Sequence, residues 1–435
     1  MASISIRGTK IKNFVNELLD ALSRSQKDSF NLESNPEGII NLGTSENKLM
    51  FDVLSEKFNE SSSHVIQEHY THYCPMNGLK SFRETIAAFL THYCKPAKPI
   101  DPENLLAFNG SGSTVEALGE MLAEPGDGFL IPAPFYGGFK SDLQMRFNVI
   151  AYPVTLSSEP APGETVPFEL TVERIEKAFN NAKKKGITIR ALLLCNPNNP
   201  FGCIYSDNLV KDCLQFAHKH NIHIIVDELY LLSIFHEGSS MNSVLSYTDI
   251  PDPERFHFIW GFSKDFAVSG FRCGVLYTQN KDLKAALYNT MYFQTVSTVT
   301  QHVLMNLIKD LDWVDRVYVP ASHKRLRESN KIVCELLQKA DIPHLECKAG
   351  FFIWADFRKL LKSQTFEDEW ELFEYFMNNK LYISPSVAFT CNEPGWFRII
   401  FAEDPKILQI AMERLSNVVH KRREELKHQN ETKTQ

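Results

Sequence analysis

The chain has 435 residues, more than one ordinary hydrophobic core organises, so two domains or one large domain with a smaller appendage are expected. Hydrophobic residues make up 43% and charged residues 23%, a globular composition that excludes disorder, collagen or a coiled coil as a description of the whole. The 46 Lys plus Arg against 53 Asp plus Glu leave a formal net charge of -7, which argues against a nucleic-acid or anionic-membrane partner, since either selects a concentrated basic surplus.

From the N-terminus, MASISIRGTKIKNF lacks an apolar core and a small-residue cleavage site, so secretion is not indicated and a cytosolic address is expected. No uninterrupted apolar run is long enough for a membrane helix; residues 230–235 are among the greasiest and are far too short. Nine cysteines, at 74, 94, 195, 203, 213, 273, 334, 347 and 391, form no C-x-x-C pair, which reads as reduced thiols. Two groups, His69, His72 and Cys74, then His218, His220 and His223, raise a metal site, but neither repeats a ligand pair at structural-zinc spacing, and no metal is expected.

In the middle of the chain, short apolar runs at 129–131, 191–195, 222–226, 256–260 and 273–277 alternate with helical periodicity. That is the pattern of a mostly parallel sheet covered by helices. Leu209, Val210, Cys213, Leu214 and Ala217 fall at helical spacing between Ser206, an N-cap, and Asn221, which closes the segment. A polar helix is predicted from about 313 to 340, an apolar strand at 350–357, and a helix opening at Asp404-Pro405 whose polar end frays from about His420. A large sheet domain is therefore placed at 66–315. The smaller domain takes 1–65 and 316–425, and 426–435 is a polar tail.

Most informative residues follow predicted strands, and open parallel sheets bind ligands outside the carboxyl ends of their strands. In Asn109-Gly-Ser111-Gly112-Ser113-Thr-Val-Glu116, Ser113 and Glu116 have capping-box spacing for a helix that runs to about 124–126. Glycines, hydroxyls and a helix N-terminus also make an anion cup. The segment lacks the third glycine of a dinucleotide fingerprint and the Gly-Lys of a Walker loop. Asp227-Glu228 at the end of a buried strand is either a ligand contact or a structural salt bridge. Lys264, in Trp260-Gly-Phe-Ser263-Lys264-Asp265, is either a solvated lysine or one desolvated into a nucleophilic amine able to form a Schiff base.

The order of these parts, followed through Asn-Pro-Asn-Asn-Pro-Phe-Gly at 196–202, Asp227-x-x-Tyr230, Ser263-Lys264 and Gly270-Phe271-Arg272, resembles that of fold type I pyridoxal-phosphate enzymes. The resemblance is closest to the 1-aminocyclopropane-1-carboxylate (ACC) synthase branch of the aminotransferases. Shared phrases run from Leu42-Gly-Thr-Ser-Glu46-Asn47 through Pro132-Ala-Pro-Phe-Tyr136 to Glu393-Pro-Gly-Trp-Phe-Arg398, covering residues 40 to 405. The resemblance implies an α/β fold with a mostly parallel seven-stranded sheet between helices, plus a smaller α+β domain built from the N- and C-terminal segments.

It also implies roles. Lys264 would join pyridoxal 5'-phosphate covalently and then serve as the base that moves the substrate Cα proton. Asp227 would keep the pyridinium nitrogen protonated, and Asn199 and Tyr230 would hydrogen-bond the ring oxygen. Tyr136 would stack on the ring. Ser111, Gly112, Ser113, Ser263 and Arg272 would hold the phosphate, and Arg398 would clamp the substrate carboxylate. Tyr73, at the ordinary aminotransferase spacing from Gly78, would reach the phosphate of a neighbouring subunit in a homodimer. Glu46 matches an acidic position near a sulfonium substrate, or is a capping or surface acid.

The implied chemistry is either transamination of an amino acid or α,γ-elimination from S-adenosylmethionine to ACC and methylthioadenosine. Three departures stand out. Gly261 replaces a phosphate-binding Ser, Met76 lies where the plant enzymes place a Tyr two residues before the Gly, and Phe201 fills the Pro-x-Gly slot. The first two motivate an alternative, a catalytically silent cofactor-binding homologue with an interaction role.

Overall fold

Twelve strands organise the computed structural model, which describes residues 3–60, 63, 65–160 and 166–434. In chain order they are β1 (Ile40–Asn41), β2 (Leu105–Phe108), β3 (Gly128–Ala133), β4 (Ile150–Thr155), β5 (Ile189–Cys195), β6 (His223–Asp227), β7 (Phe256–Gly261), β8 (Gly274–Thr278), β9 (Phe352–Asp356), β10 (Leu381–Tyr382), β11 (Ser384–Pro385) and β12 (Trp396–Ile400). Seven form one sheet in the order β2-β8-β7-β6-β5-β3-β4. Only β8 runs against the others. Strands β2, β3, β7 and β8 are buried along their whole length, as expected where helices cover both faces and each strand reads as a continuous apolar run.

The five apolar runs seen in the sequence all become strands of this sheet. Two strands carried no such signal. Strand β2 has only four residues, and β4 holds Pro153, which a strand tolerates here because β4 is the sheet edge. The register brings the carboxyl ends of three strands together: Cys195 lies beside Asp227 and Asp227 beside Ile259. Asn199, Asp227 and Lys264 therefore leave the sheet along one rim.

Helix Asp207–His220 is capped as predicted, with the Ser206 hydroxyl accepting from Leu209 N at 3.3 Å and Asn221 in the left-handed region at φ 57°. The predicted 313–340 helix is a π-helical turn, Val314–Tyr318, followed by helix Val319–Lys339. The last helix, Pro405–Thr434, opens where Asp404 accepts from Lys406 N and runs through His420, because Val418, Val419 and Arg422 are buried beneath it.

Outside the large sheet, β11, β12 and β9 form an antiparallel sheet in which Arg398 sits between Trp354 and Ser384. Strand β1 pairs in parallel with β10, joining the N-terminal segment to the C-terminal one. Phe201 is 3% exposed and packs between Phe168, at 4.9 Å, and Trp354, at 6.0 Å, which itself stacks on Trp396. The Gly202 carbonyl beside it accepts from Lys348 N and Ala349 N. The large residue in the Pro-x-Gly slot thus wedges the 196–202 loop against β9 and β12. Among the described residues no helix is long and apolar enough to cross a membrane.

Candidate active site

Helix Ser111–Leu122 opens earlier than the capping box predicts. Its N-cap is Gly110, whose φ of 94° only glycine adopts without strain, and no side chain caps the first turn. Ser113 lies inside that turn and donates to Asn109 O at 3.0 Å, while Glu116 faces Arg146 at 2.9 Å, so the predicted reciprocal cap does not form. The first-turn amides are left without side-chain acceptors, and the Ser111 hydroxyl is buried without a partner. Arg272, at φ 52°, leans over this turn so closely that a Cβ at Gly110 would lie 2.3 Å from its Nη2; its Nη1 donates to Ser269 O. Ser263 is buried nearby, its carbonyl accepting from the Ser269 hydroxyl. Gly112 adds no side chain to the cup. A Cβ at Gly261 would meet Ser111 Oγ at 2.9 Å and Cys273 O at 3.0 Å, so the missing serine coincides with space that Ser111 fills.

Lys264 lies on the short helix Phe262–Asp265 and donates to Ser45 O at 2.5 Å. Burial, reinforced by the Arg398 charge, pulls its amine down to about 8, against the opposing carboxylates of Glu46 and Asp227. Asp227 is 1% exposed, and its Oδ1 accepts from Leu229 N at 3.0 Å. Burial pushes its carboxyl up to about 7, with Leu229 N and Lys264 pulling the other way. Asp265, next to Lys264, is tied down by Trp260, Leu232 and Ser233, which fixes the short helix carrying the lysine.

Beside these lies a hydrogen-bonded chain. Arg398 donates through Nη1 to Asn199 Oδ1 at 3.1 Å and through Nη2 to Gly43 O at 2.6 Å. Asn199 Nδ2 donates to Tyr230 Oη at 3.4 Å, and that hydroxyl shares a further hydrogen bond with Ser45 Oγ. Arg398 is 1% exposed, lies 4.7 Å over the Phe389 ring and 5.8 Å over Phe352, and its Nε has no partner. A buried guanidinium with a free donor is costly unless an anion meets it. Tyr136 is partly exposed; a Cβ at Gly138 would strike its ring, so the glycine makes room for it.

The structure thus brings Lys264, Asp227, Tyr230, Asn199 and Arg398 into one cluster of hydrogen bonds and interacting charges, and Arg272 and Ser263 beside the first turn that carries Ser111, Gly112 and Ser113, with the charges of Arg398, Arg272 and Asp227 all acting on Tyr136. Glu46 is exposed on the turn next to Ser45, its charge facing Lys264. Tyr73 is 93% exposed and, among the described residues, has no hydrogen bond or ring contact with the cluster. The histidine groups hold no metal-ligand cluster among the described residues: His220 faces Glu176, and His223 pairs with His257. Sequence reasoning missed Ser45, Gly43 and Phe389. Ser45 lies within a quoted phrase, but Gly43 and Ser45 act partly through main-chain carbonyls, which leave no side-chain signal.

The sequence profile described as "Aminotransferase class I and II" matches residues 37–415. The chain is 41% identical over 423 residues to a human protein named "Probable inactive 1-aminocyclopropane-1-carboxylate synthase-like protein 2", covering 97% of this chain and 74% of that one. It is 41% identical to bovine "1-aminocyclopropane-1-carboxylate synthase-like protein 1", over 96% of this chain and 83% of the other. It is 34% identical to "1-aminocyclopropane-1-carboxylate synthase 2" of Arabidopsis thaliana, over 94% and 84%. In fold it is similar to the Thermus thermophilus aspartate aminotransferase structure with maleate, with a TM-score of 0.77 at 18% identity, covering 96% of this chain and all of that one. The chain belongs to the class I and II aminotransferases, a pyridoxal-phosphate-dependent family, and to its ACC synthase-like branch.

Proposed function

We propose that the chain is an ACC synthase-like enzyme that uses pyridoxal 5'-phosphate to transform an amino acid. One observation carries this reading: the Lys264 amine, lowered to about 8, lies within reach of the charge of the buried Arg398 guanidinium, whose Nε has no partner. The first suits attachment of an aldehyde and proton transfer; the second suits an α-carboxylate.

The donor set fits the cofactor. The uncapped first turn of Ser111–Leu122, the partnerless Ser111 hydroxyl and Arg272 suit a phosphate, with Gly112, Ser113 and Ser263 completing the cup. Asp227, buried with one backbone donor, suits a protonated ring nitrogen. Asn199 and Tyr230 would meet the ring oxygen, and Tyr136 the ring face. Bound there, the cofactor supplies an electron sink for negative charge at the substrate Cα. Arg398 orients the substrate by its carboxylate, with Asn199 Oδ1 and the Phe389 face fixing the guanidinium. Lys264 Nζ takes and returns the Cα proton, and a basicity near neutrality suits both directions.

Two reactions remain within this reading. Elimination from S-adenosylmethionine is supported by Glu46, an acid at the rim suited to a sulfonium, and by the plant relative's name. Transamination is supported by the family. A second reading, a catalytically silent homologue, is supported by Gly261 and by the human relative's name. Product analysis separates them. Methylthioadenosine release indicates elimination and keto-acid formation indicates transamination. No turnover of any amino acid beyond the Lys264→Ala background indicates the silent homologue.

The same reading includes a cytosolic homodimer with shared sites. Exposed Val65, Ile66, Tyr73, Tyr292, Phe293 and Val299 support it, as does the bond from Thr298 to Tyr70 O, which lays the segment carrying Tyr73 on helix Thr298–Ile308. It also includes the domain division at 66–315, which the β1–β10 pairing of the two chain ends supports.

A further inference from the structure

Asp142 lies on the short helix Gly138–Gln144, which packs along Ser111–Leu122. A Cβ placed on Gly112 would come 3.2 Å from its Oδ1 and 3.5 Å from its Oδ2. The carboxyl therefore looks onto the uncapped first turn, where an ionised acid ordinarily accepts from the amides. Yet it makes no hydrogen bond or ion pair among the described residues. The next acid along, Glu116, is engaged by Arg146 and Gln294. Ser141, beside Asp142, is held by Asn16 Nδ2 at 2.8 Å, so the turn that aims the carboxyl is anchored to the N-terminal segment.

The charged and titratable groups facing Asp142 are Glu116 from the packed helix, Arg272 from the segment before β8, Asp227 from the end of β6, and Tyr136 from its own approach. Two of the three charged neighbours are acids, and only Arg272 opposes them. Asp142 is half-buried; desolvation by the protein packed around its carboxyl first, then Glu116, holds it well above the ordinary carboxylate range. A neutral carboxyl is a hydrogen-bond donor, and a carboxylate beside a phosphate is a like-charge pair.

We propose that Asp142 is a cofactor-positioning residue: as a neutral acid it donates a hydrogen bond to the 5'-phosphate on the first turn of Ser111–Leu122, and once ionised it repels that phosphate. This rests on the cofactor reading above and extends it to a residue no motif marks. Retention of the cofactor then weakens as pH rises and Asp142 loses its proton.

The test uses the full chain stripped of cofactor and titrated with pyridoxamine 5'-phosphate, which has no aldehyde to link with Lys264. Binding is followed by fluorescence quenching from pH 5 to 9.5. Asp142→Asn keeps a donor and never ionises; Asp142→Leu keeps neither property. Wild type should lose at least tenfold more affinity across the range than Asp142→Asn, the two agreeing within about threefold at the acid end. Asp142→Leu should be at least tenfold weaker at the acid end, while phosphate-free pyridoxamine distinguishes none of the three. Superimposed wild-type and Asp142→Asn curves, or wild-type affinity in Asp142→Leu, overturn the inference. If Asp142→Leu does not fold, the Asp142→Asn curve decides. A wild-type chain that binds no pyridoxamine 5'-phosphate overturns the cofactor reading itself, whereas binding with superimposed curves overturns only the role of Asp142.

Discussion

Replacing Asp227 by Asn should stabilise the cofactor-free protein and weaken its hold on the cofactor. Asp227 is 1% exposed, and burial raises its carboxyl from the ordinary carboxylate range to about 7, a cost of about 4 kcal/mol to the ionised form. The sign follows from proton uptake. Between pH 4 and 7 the folded chain keeps a proton that the unfolded chain has released, so folding stability falls as pH rises through this window and the full penalty stands above it. Asparagine keeps the acceptor for Leu229 N and has no charge to desolvate. Urea unfolding of the two cofactor-free proteins should show a small gain for Asp227→Asn at pH 4.5, growing to about 4 kcal/mol at pH 8.5. Added pyridoxal 5'-phosphate should stabilise wild type more than the variant, because the ring nitrogen loses its anionic partner. A variant equally changed at both pH values, or increasingly destabilised as pH rises, would refute the reasoning.

Gly261→Ser, which restores the family's hydroxyl, should cost about 1–3 kcal/mol, because its Cβ meets Ser111 Oγ and Cys273 O; unchanged thermal unfolding with tighter phosphate binding would count against it. Phe201→Ala should cost about 3–5 kcal/mol in urea unfolding through lost packing on Phe168 and Trp354, and a loss below about 1 kcal/mol would show that the aromatic wedge is idle. Modification of Lys264 by an amine-selective acylating reagent should rise with pH and level off just above 8; a rise continuing toward the ordinary lysine range would contradict its desolvation.

The sheet was legible because its strands are buried on both faces and read as apolar runs. Asn199, Asp227, Tyr230 and Lys264 were legible as site candidates because they follow strand ends at 195, 227 and 261. What escaped notice escaped for physical reasons. The Ser113–Glu116 spacing fits a capping box, but a positive φ at Gly110 starts the helix earlier, and φ is not written in side chains. Gly43 and Ser45 hold Arg398 and Lys264 through carbonyl oxygens. Strand β1 is two residues long and exists through pairing with β10, far along the chain. Phe389 reads as an ordinary core residue until it lies under Arg398. Asp142 carries no motif because its meaning comes from the packing of one helix on another.

The most direct measurement is borohydride reduction of the full chain reconstituted with pyridoxal 5'-phosphate, followed by peptide mapping. The reconstituted chain should show a visible absorption band that disappears on reduction and one reduced pyridoxyl adduct, on the peptide containing Lys264. A colourless protein, or an adduct spread over surface lysines with Lys264 unmodified, would contradict it.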